Sequence, residues 1–206
     1  MKKTGRKIVA YSSILATFLA ILFIFWSEEV KYLLPTPIPQ NYREVAINQS
    51  ISVEDFIQTQ STKPIFLHFF NPDCPCSKFN LSHVRSLIKK YNKEIEFYAV
   101  LQVEGENYDV SQFTRKYDLP AKVIIDYHNI LAEKCGVYST PQAVILTTDS
   151  KLYYRGNYNK SRYCTNKATN FAQMAIDSLL LGQEPPQFGV LANQSYGCEL
   201  PKEEEN

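Results

Sequence analysis

The chain has almost no net charge with which to hold a charged partner: 22 Lys and Arg against 21 Asp and Glu leave a formal +1. No Lys/Arg-rich stripe interleaved with aromatics follows residue 30, so neither bulk charge nor pattern supports nucleic acid as a partner. No internal repeat is visible, which sets aside solenoids and other repeat arrays. A phosphate-cradling loop, a serine triad and a paired-carboxylate motif are all missing, so nucleotide binding and hydrolysis have no motif behind them. Disorder is excluded by composition, with 45% hydrophobic and 21% charged residues. At 206 residues the chain holds one ordinary domain and an anchor, not two full domains.

One segment lacks charge altogether. From Ile8 to Trp26 the chain is apolar, preceded by Lys2, Lys3, Arg6 and Lys7 and followed by Glu28 and Glu29. At 1.5 Å per residue it spans roughly 28 Å, the hydrocarbon thickness of a bilayer. The flanking charges keep the N-terminus cytoplasmic and export the rest, and Trp26 falls where an interfacial anchor belongs. The run exceeds the core of a cleaved signal peptide and no A-x-A-like site follows it, which favours a retained anchor. Pro35, Pro37 and Pro39 then read as a semi-rigid spacer that lifts a domain off the membrane. The expected organisation is a cytoplasmic basic start (1–7), a transmembrane signal anchor (8–26), a Pro-rich linker (27–48), a globular domain (49–182) and a tail (183–206). The acidic end (Glu203, Glu204, Glu205) reads as a solvated tail.

Within the domain, Ser52 with Asp55 predicts a short helix to about Gln60, stopped by Pro64. Ile65–Phe70 is a bulky run fit for a strand buried on both faces. Phe79, Val84, Leu87, Ile88 and Tyr91 recur at helical spacing. Strands follow at Ile95–Leu101 and Val123–Ile125, with a helix at Val110–Tyr117 between them. Asn129–Cys135 reads as helical turns closed by Gly136. A hairpin of Gln142–Thr147 and Leu152–Arg155 precedes a helix over Asn166–Leu181 with Phe171, Met174, Ala175, Ser178 and Leu179 on one face. An early βαβ unit and a late hairpin predict a mixed sheet with helices on both faces.

The segment that carries chemistry is Phe69-Phe70-Asn71-Pro72-Asp73-Cys74-Pro75-Cys76-Ser77. It joins a buried strand to an amphipathic helix, and a helix N-terminus favours the anionic, reactive form of a thiol. With Ser139-Thr140-Pro141 ahead of an apolar strand, and Arg155-Gly156 closing the hairpin, it resembles the thioredoxin-like superfamily over roughly residues 50–182. Asp73-Cys74-Pro75 and Tyr196-Gly197-Cys198 are more similar to exported, membrane-anchored redoxins than to small cytosolic thioredoxin. The resemblance implies an α/β thioredoxin-like mixed sheet flanked by helices, and a cis-proline at Pro141 facing the cysteines. It places Pro141, Thr140 and Pro75 along the substrate groove. One departure stands out: Ser77 occupies the usual second-cysteine position, and the pair is Cys74 and Cys76. Either these two form a small-ring disulfide, or Cys74 is a lone nucleophile resolved by Cys76 or by a distant cysteine. Family enzymes often carry a buried acid where His68 stands. His68 is therefore a candidate to accept a thiol proton or, as a cation, to stabilise thiolate; the competing reading is a core histidine. His83 and His128 read as surface residues.

The remaining cysteines, Cys135, Cys164 and Cys198, allow three pairings that the sequence does not separate. Cys164 with Cys198 is preferred because it would tie down the tail. The leading activity is thiol–disulfide exchange: Cys74 attacks, Cys76 resolves, Pro141 shapes the groove and His68 handles the proton, with no cofactor or metal. The partners expected are thiols or disulfides of exported proteins, or a membrane redox protein, met at the outer face of the cell inner membrane in the periplasm or its equivalent. A copper(I)-binding module using two close thiolates and a thiol peroxidase on the same fold are the alternatives. The second is weakened by Asn71 at the position where a Thr or Ser is expected.

Overall fold

The computed structural model describes residues 3–29, 34–57, 62–105, 107–160 and 164–201, and the chain divides into two units, 1–34 and 35–206. Among its described residues the first holds one helix, α1 (Lys3–Glu29). Within it, Gly5–Ser27 has mean hydropathy 2.4 and is long and apolar enough to cross a membrane. Its side chains, Phe18, Ile21 and Phe25 among them, are exposed, and the helix is apolar all round.

The second unit is built on five strands: β1 (Ile65–Phe70), β2 (Glu96–Leu101), β3 (Lys122–Ile125), β5 (Gln142–Leu146) and β6 (Leu152–Gly156), ordered β3-β2-β1-β5-β6. β1, β2 and β3 run parallel, and β5 and β6 run antiparallel to their neighbours. β1 is central and buried at every position, which is why its sequence is a continuous apolar run rather than an alternation. Alternate residues still part company. Phe66 and Phe70 enter one core with Val84, Leu87 and Ile88 of α2 (Pro75–Tyr91), Phe113 of α3 (Val110–Tyr117) and Ala172, Ala175 and Ile176 of α5 (Phe171–Leu180). Leu67 and Phe69 enter the other with Val45, Ile51, Val53 and Ile57, and with Leu131, Ala132 and Cys135 of α4 (Ile130–Cys135). Gly136 at φ 67 closes α4 and returns its N–H to the last turn. A second, two-residue ladder joins β4 (Ser139–Thr140) to β7 (Cys198–Glu199). The topology is thioredoxin-like, with Thr140-Pro141 as the cis peptide bond.

Four expectations need correction. Over 52–57 the chain makes one turn, with Phe56 and Ile57 N–H both returning to the Val53 carbonyl, and no helix; Gln60 lies outside the described residues. The final helix begins at Phe171, because Asn166 caps a separate 3-10 turn, Lys167–Thr169. It buries Phe171, Ala172, Ala175 and Ile176 and leaves Met174 exposed. The proline-rich stretch is not wholly a spacer: Thr36 and Val45 are buried in the domain. The tail folds back onto the domain through α6 (Val190–Asn193) and β7. Asn157 donates to the Leu191 and Gln194 carbonyls at 2.9 and 2.6 Å.

Candidate functional site

The cysteine motif sits where β1 hands over to α2. Cys74 is the N-cap in extended conformation, Pro75 starts the helix and Cys76 lies in its first turn. Proline is suited to that first position because its missing N–H has no intrahelical partner to lose. The loop before it is held tightly. Asn71 accepts from Asp73 N–H at 2.7 Å through its side chain and from Cys74 N–H at 3.2 Å through its carbonyl. Tyr117 donates to the Pro72 carbonyl at 3.2 Å. Ser77, at the usual second-cysteine position, is fully buried and accepts from Asn71 N–H at 3.2 Å. Its work is to fix the loop, which leaves Cys76 as the nearby sulfur.

Facing this junction are β4 and the cis-proline. Thr140 lies opposite Cys198 and Ser139 opposite Glu199. The Thr140 carbonyl oxygen is 3.6 Å from Cys74 Sγ, a contact that becomes a hydrogen bond only when Cys74 carries a thiol. Cys74 is bonded to Cys198, with Cα atoms 6.0 Å apart. The sulfurs of Cys74, Cys76 and Cys198 all lie within 4.8 Å of one another. The structure therefore corrects one expectation: Cys198 is not paired with Cys164. Of the alternatives left open for the motif, it shows Cys74 joined to a distant cysteine, that of the tail, while Cys76 carries a thiol. The reason is the β4–β7 ladder, which carries the tail across the motif rather than back to the last helix.

Small polar groups line the tail's course. Thr36 Oγ1 lies 2.9 Å from Ser139 Oγ and donates to the Gly197 carbonyl at 3.2 Å, while Thr36 N–H reaches the Ser195 carbonyl at 2.9 Å. The Gln142 side chain donates to the Ser195 hydroxyl. Among the described residues, Thr140 Oγ1 and Gln142 Oε1, either side of Pro141, are buried without a hydrogen-bond partner. Gly197 lies flat on β4: a Cβ there would fall 2.1 Å from the Thr140 carbonyl oxygen and 3.1 Å from Ser139 Oγ. Pro75 and Pro141 are each half-buried beside the sulfurs' elements.

The other two cysteines are placed for inertness. Cys135 is fully buried in the α4-side core, and burial pushes its thiol well above the ordinary range. Cys164, packed against the opposite core, donates to Asn80 Oδ1 at 2.8 Å, and burial pushes it up to about 12. His68 is also a core group. Its Nδ1 lies 2.7 Å from the buried Tyr158 hydroxyl, its ring meets Phe70 and Tyr158 edge-on, and burial pulls it down to about 3. It is neutral at ordinary pH, so the cationic role loses its support. Its Nε2 is buried without a hydrogen-bond partner among the described residues. His83 is not the surface residue expected: its ring is half-buried, edge-on to Tyr158.

Two further groups escaped the sequence reading. Asp126, after β3, accepts from Leu131 and Ala132 N–H at 2.8 and 2.9 Å and from Gln102 at 2.9 Å, capping α4, and burial raises its carboxyl. Thr36 sits in the stretch taken as spacer. Neither carries a local pattern; each acquires its part from partners distant in sequence.

Comparison with known proteins agrees with the architecture. The chain is 25% identical over 129 residues to the thiol-disulfide oxidoreductase ResA of Bacillus cereus, covering 62% of this chain and 72% of that protein. An uncharacterized conserved protein of Geobacillus kaustophilus superposes with TM-score 0.61 at 22% identity, over 82% of this chain and 94% of its own. A hypothetical protein of Sinorhizobium meliloti gives 0.59 at 14%, over 77% and 96%. The family model described as a domain of unknown function, DUF6436, matches residues 44–199, a span that takes in the motif, the cis-proline and the tail cysteine; the chain belongs to that family.

Proposed function

We propose that the chain is a membrane-anchored thiol–disulfide oxidoreductase acting on protein thiols outside the cytoplasm. The observation that carries this reading is the cluster of three sulfurs within 4.8 Å at the mouth of a helix, against a cis-proline loop. Thiolate attack on a disulfide needs only an accessible path between sulfurs and a site that tolerates negative charge. The name of the B. cereus relative, thiol-disulfide oxidoreductase, agrees with it. Cys74 is the attacking sulfur, Cys76 resolves it, and Thr140, Pro141 and Pro75 border the groove. His68, neutral in the core, is the proton acceptor through Nε2. The apolar α1 is the anchor, with residues 1–7 in the cytoplasm and the domain on the far side of the membrane.

The test is the redox equilibrium of the full-length protein in detergent, in glutathione buffers, with thiols mapped by alkylation and mass spectrometry. A reversible disulfide on Cys74 that exchanges with a protein disulfide supports the reading; cysteines inert throughout oppose it. Labelling whole cells with a membrane-impermeant maleimide, after reduction, tests the topology: modification of the domain's cysteines without lysis is expected.

A second reading rests on the same sulfurs. Three thiolates suit a soft ion such as Cu(I), with Cys198 adding a third to the two close thiolates of the motif. Stoichiometric Cu(I) binding by the reduced protein, lost in Cys74→Ser/Cys76→Ser, would favour it.

A further inference from the structure

Exchange with a protein passes through a mixed disulfide in which the partner's cysteine lies against the attacking sulfur. The fold contains such an arrangement made from its own tail. Residues 198–199 run as a strand antiparallel to Ser139–Thr140, Cys198 stands opposite Thr140, and its sulfur is bonded to Cys74. The fit is close at the preceding residue, where Gly197 leaves no room for a side chain over the Thr140 carbonyl. The third sulfur, Cys76, is within 4.8 Å of both members of the bond.

We infer that Cys198 is a third exchanging cysteine, carried by a tail that fills the groove as an internal stand-in for a protein substrate, and that Cys76 discharges it. This rests on the thiol-exchange reading above. In the step, the Cys76 thiolate attacks the Cys74 sulfur. The Cys76–Cys74 bond forms, the Cys74–Cys198 bond breaks, and the electron pair departs on Cys198 sulfur, which takes up the proton that Cys76 lost. One disulfide and one thiol go in and one disulfide and one thiol come out, so no outside oxidant or reductant takes part. The movement required is local. Up to residue 195 the tail is held by Asn157, Gln142 and Thr36, and beyond the strand Asn129 donates to the Pro201 carbonyl at 2.8 Å. Between these moorings lie the short ladder and the Cys198 bond, together with the Thr36 contact to the Gly197 carbonyl. Discharged, residues 196–199 can leave β4, and an extended segment with glycine before its cysteine can take their place.

The experiment uses the full-length protein in detergent, equilibrated across glutathione ratios, quenched in acid and mapped for disulfide partners. Wild type should contain both Cys74–Cys198 and Cys74–Cys76. Their proportion should be the same at every glutathione ratio, because the two forms hold equal numbers of electrons. Cys76→Ser should leave only Cys74–Cys198, and Cys198→Ser only Cys74–Cys76. A peptide of residues 195–200, supplied as its glutathione mixed disulfide to Cys76→Ser/Cys198→Ser, should accumulate on Cys74. The same peptide with Gly197→Val should accumulate about tenfold less. Reversible Cys74–Cys76 exchange with no Cys74–Cys198 form overturns the inference and leaves the function standing. A Cys74–Cys198 bond that never passes to Cys76 makes it a fixed staple and also overturns it. Equal accumulation of the two peptides removes the stand-in. If Cys74 enters no reversible disulfide, the oxidoreductase reading itself falls.

Discussion

Cys74, Cys76 and Cys198 and the pair Cys135 and Cys164 are the same side chain in two kinds of place. The first three converge at one end of the sheet, at a helix N-terminus, on segments that meet only in the folded chain. Of the other two, one lies in each core, and burial raises both thiols. Thiolate is the reactive form, and since Cys74 and Cys76 are buried as well, what separates the two sets is the thiolate support of a helix N-terminus and the nearness of one sulfur to another. Counting cysteines says nothing of this; position relative to a helix end and to the other sulfurs says most of it.

The strongest way to break the comparison is to delete a member of each set. Cys74→Ser should lower the rate of exchange with a protein disulfide by about 10³-fold or more, since no other group supplies the attacking sulfur. Cys135→Ala should leave that rate unchanged and cost about 1 kcal/mol of stability through lost packing, read by denaturant titration. Comparable losses of rate in both would dissolve the distinction.

Next comes reactivity without mutation. A thiol moved from 9.0 up to about 12 holds about 10³-fold less thiolate near neutral pH than an ordinary one. Iodoacetamide labelling of the native, reduced protein should therefore leave Cys164 behind by about that factor relative to a free cysteine peptide.

His68 sharpens the comparison from the core side. The fold holds it neutral, down from 6.5 to about 3, so the unfolded chain binds one more proton in that window. Its contribution is complete above pH 6.5 and is lost as pH falls, by up to about 1.4 kcal/mol per unit. Stability measured from pH 7 to 4 should fall less steeply in His68→Asn than in wild type. If thiol reactivity across pH is also unchanged in that variant, its part is structural.

The smallest effect concerns the tail's mooring. Thr36→Val removes the hydroxyl that meets Ser139 and the Gly197 carbonyl. A loss of about 1 kcal/mol should move the balance of the two Cys74 disulfides about fivefold toward Cys76.

Much of the fold was legible because its signals are local. β1 announces itself as an unbroken apolar run, α2 by its spacing from Val84 to Tyr91, α4 by Gly136 at its end, and the hairpin by the two short runs Gln142–Thr147 and Leu152–Arg155. The cysteine motif was legible for the same reason, and the cis-proline through family resemblance. The Cys74–Cys198 pairing was not. It depends on β4 and β7, strands of two residues each, too short for any periodicity, joined across most of the domain. The 52–57 turn misled because a capping pattern predicts a helix start but not its length. Met174 misled because the helix is apolar around much of its girth: Ala172 and Ile176 repeat at the same four-residue spacing beside Phe171 and Ala175, and that neighbouring stripe is the one buried. Thr36 was hidden within prolines that suggested a free spacer.

Cys74 and Cys198 stand 124 residues apart, and the bond between them closes nearly the whole domain into a covalent ring. A single proteolytic nick anywhere within that ring leaves one molecule while the bond lasts, and two pieces once it passes to Cys76. A ring of this size withholds about 4–5 kcal/mol of chain entropy from the unfolded state, and the minute ring through Cys76 far less. Moving one bond between neighbouring sulfurs thus turns the domain from a closed loop into an open thread, with no electron added or removed.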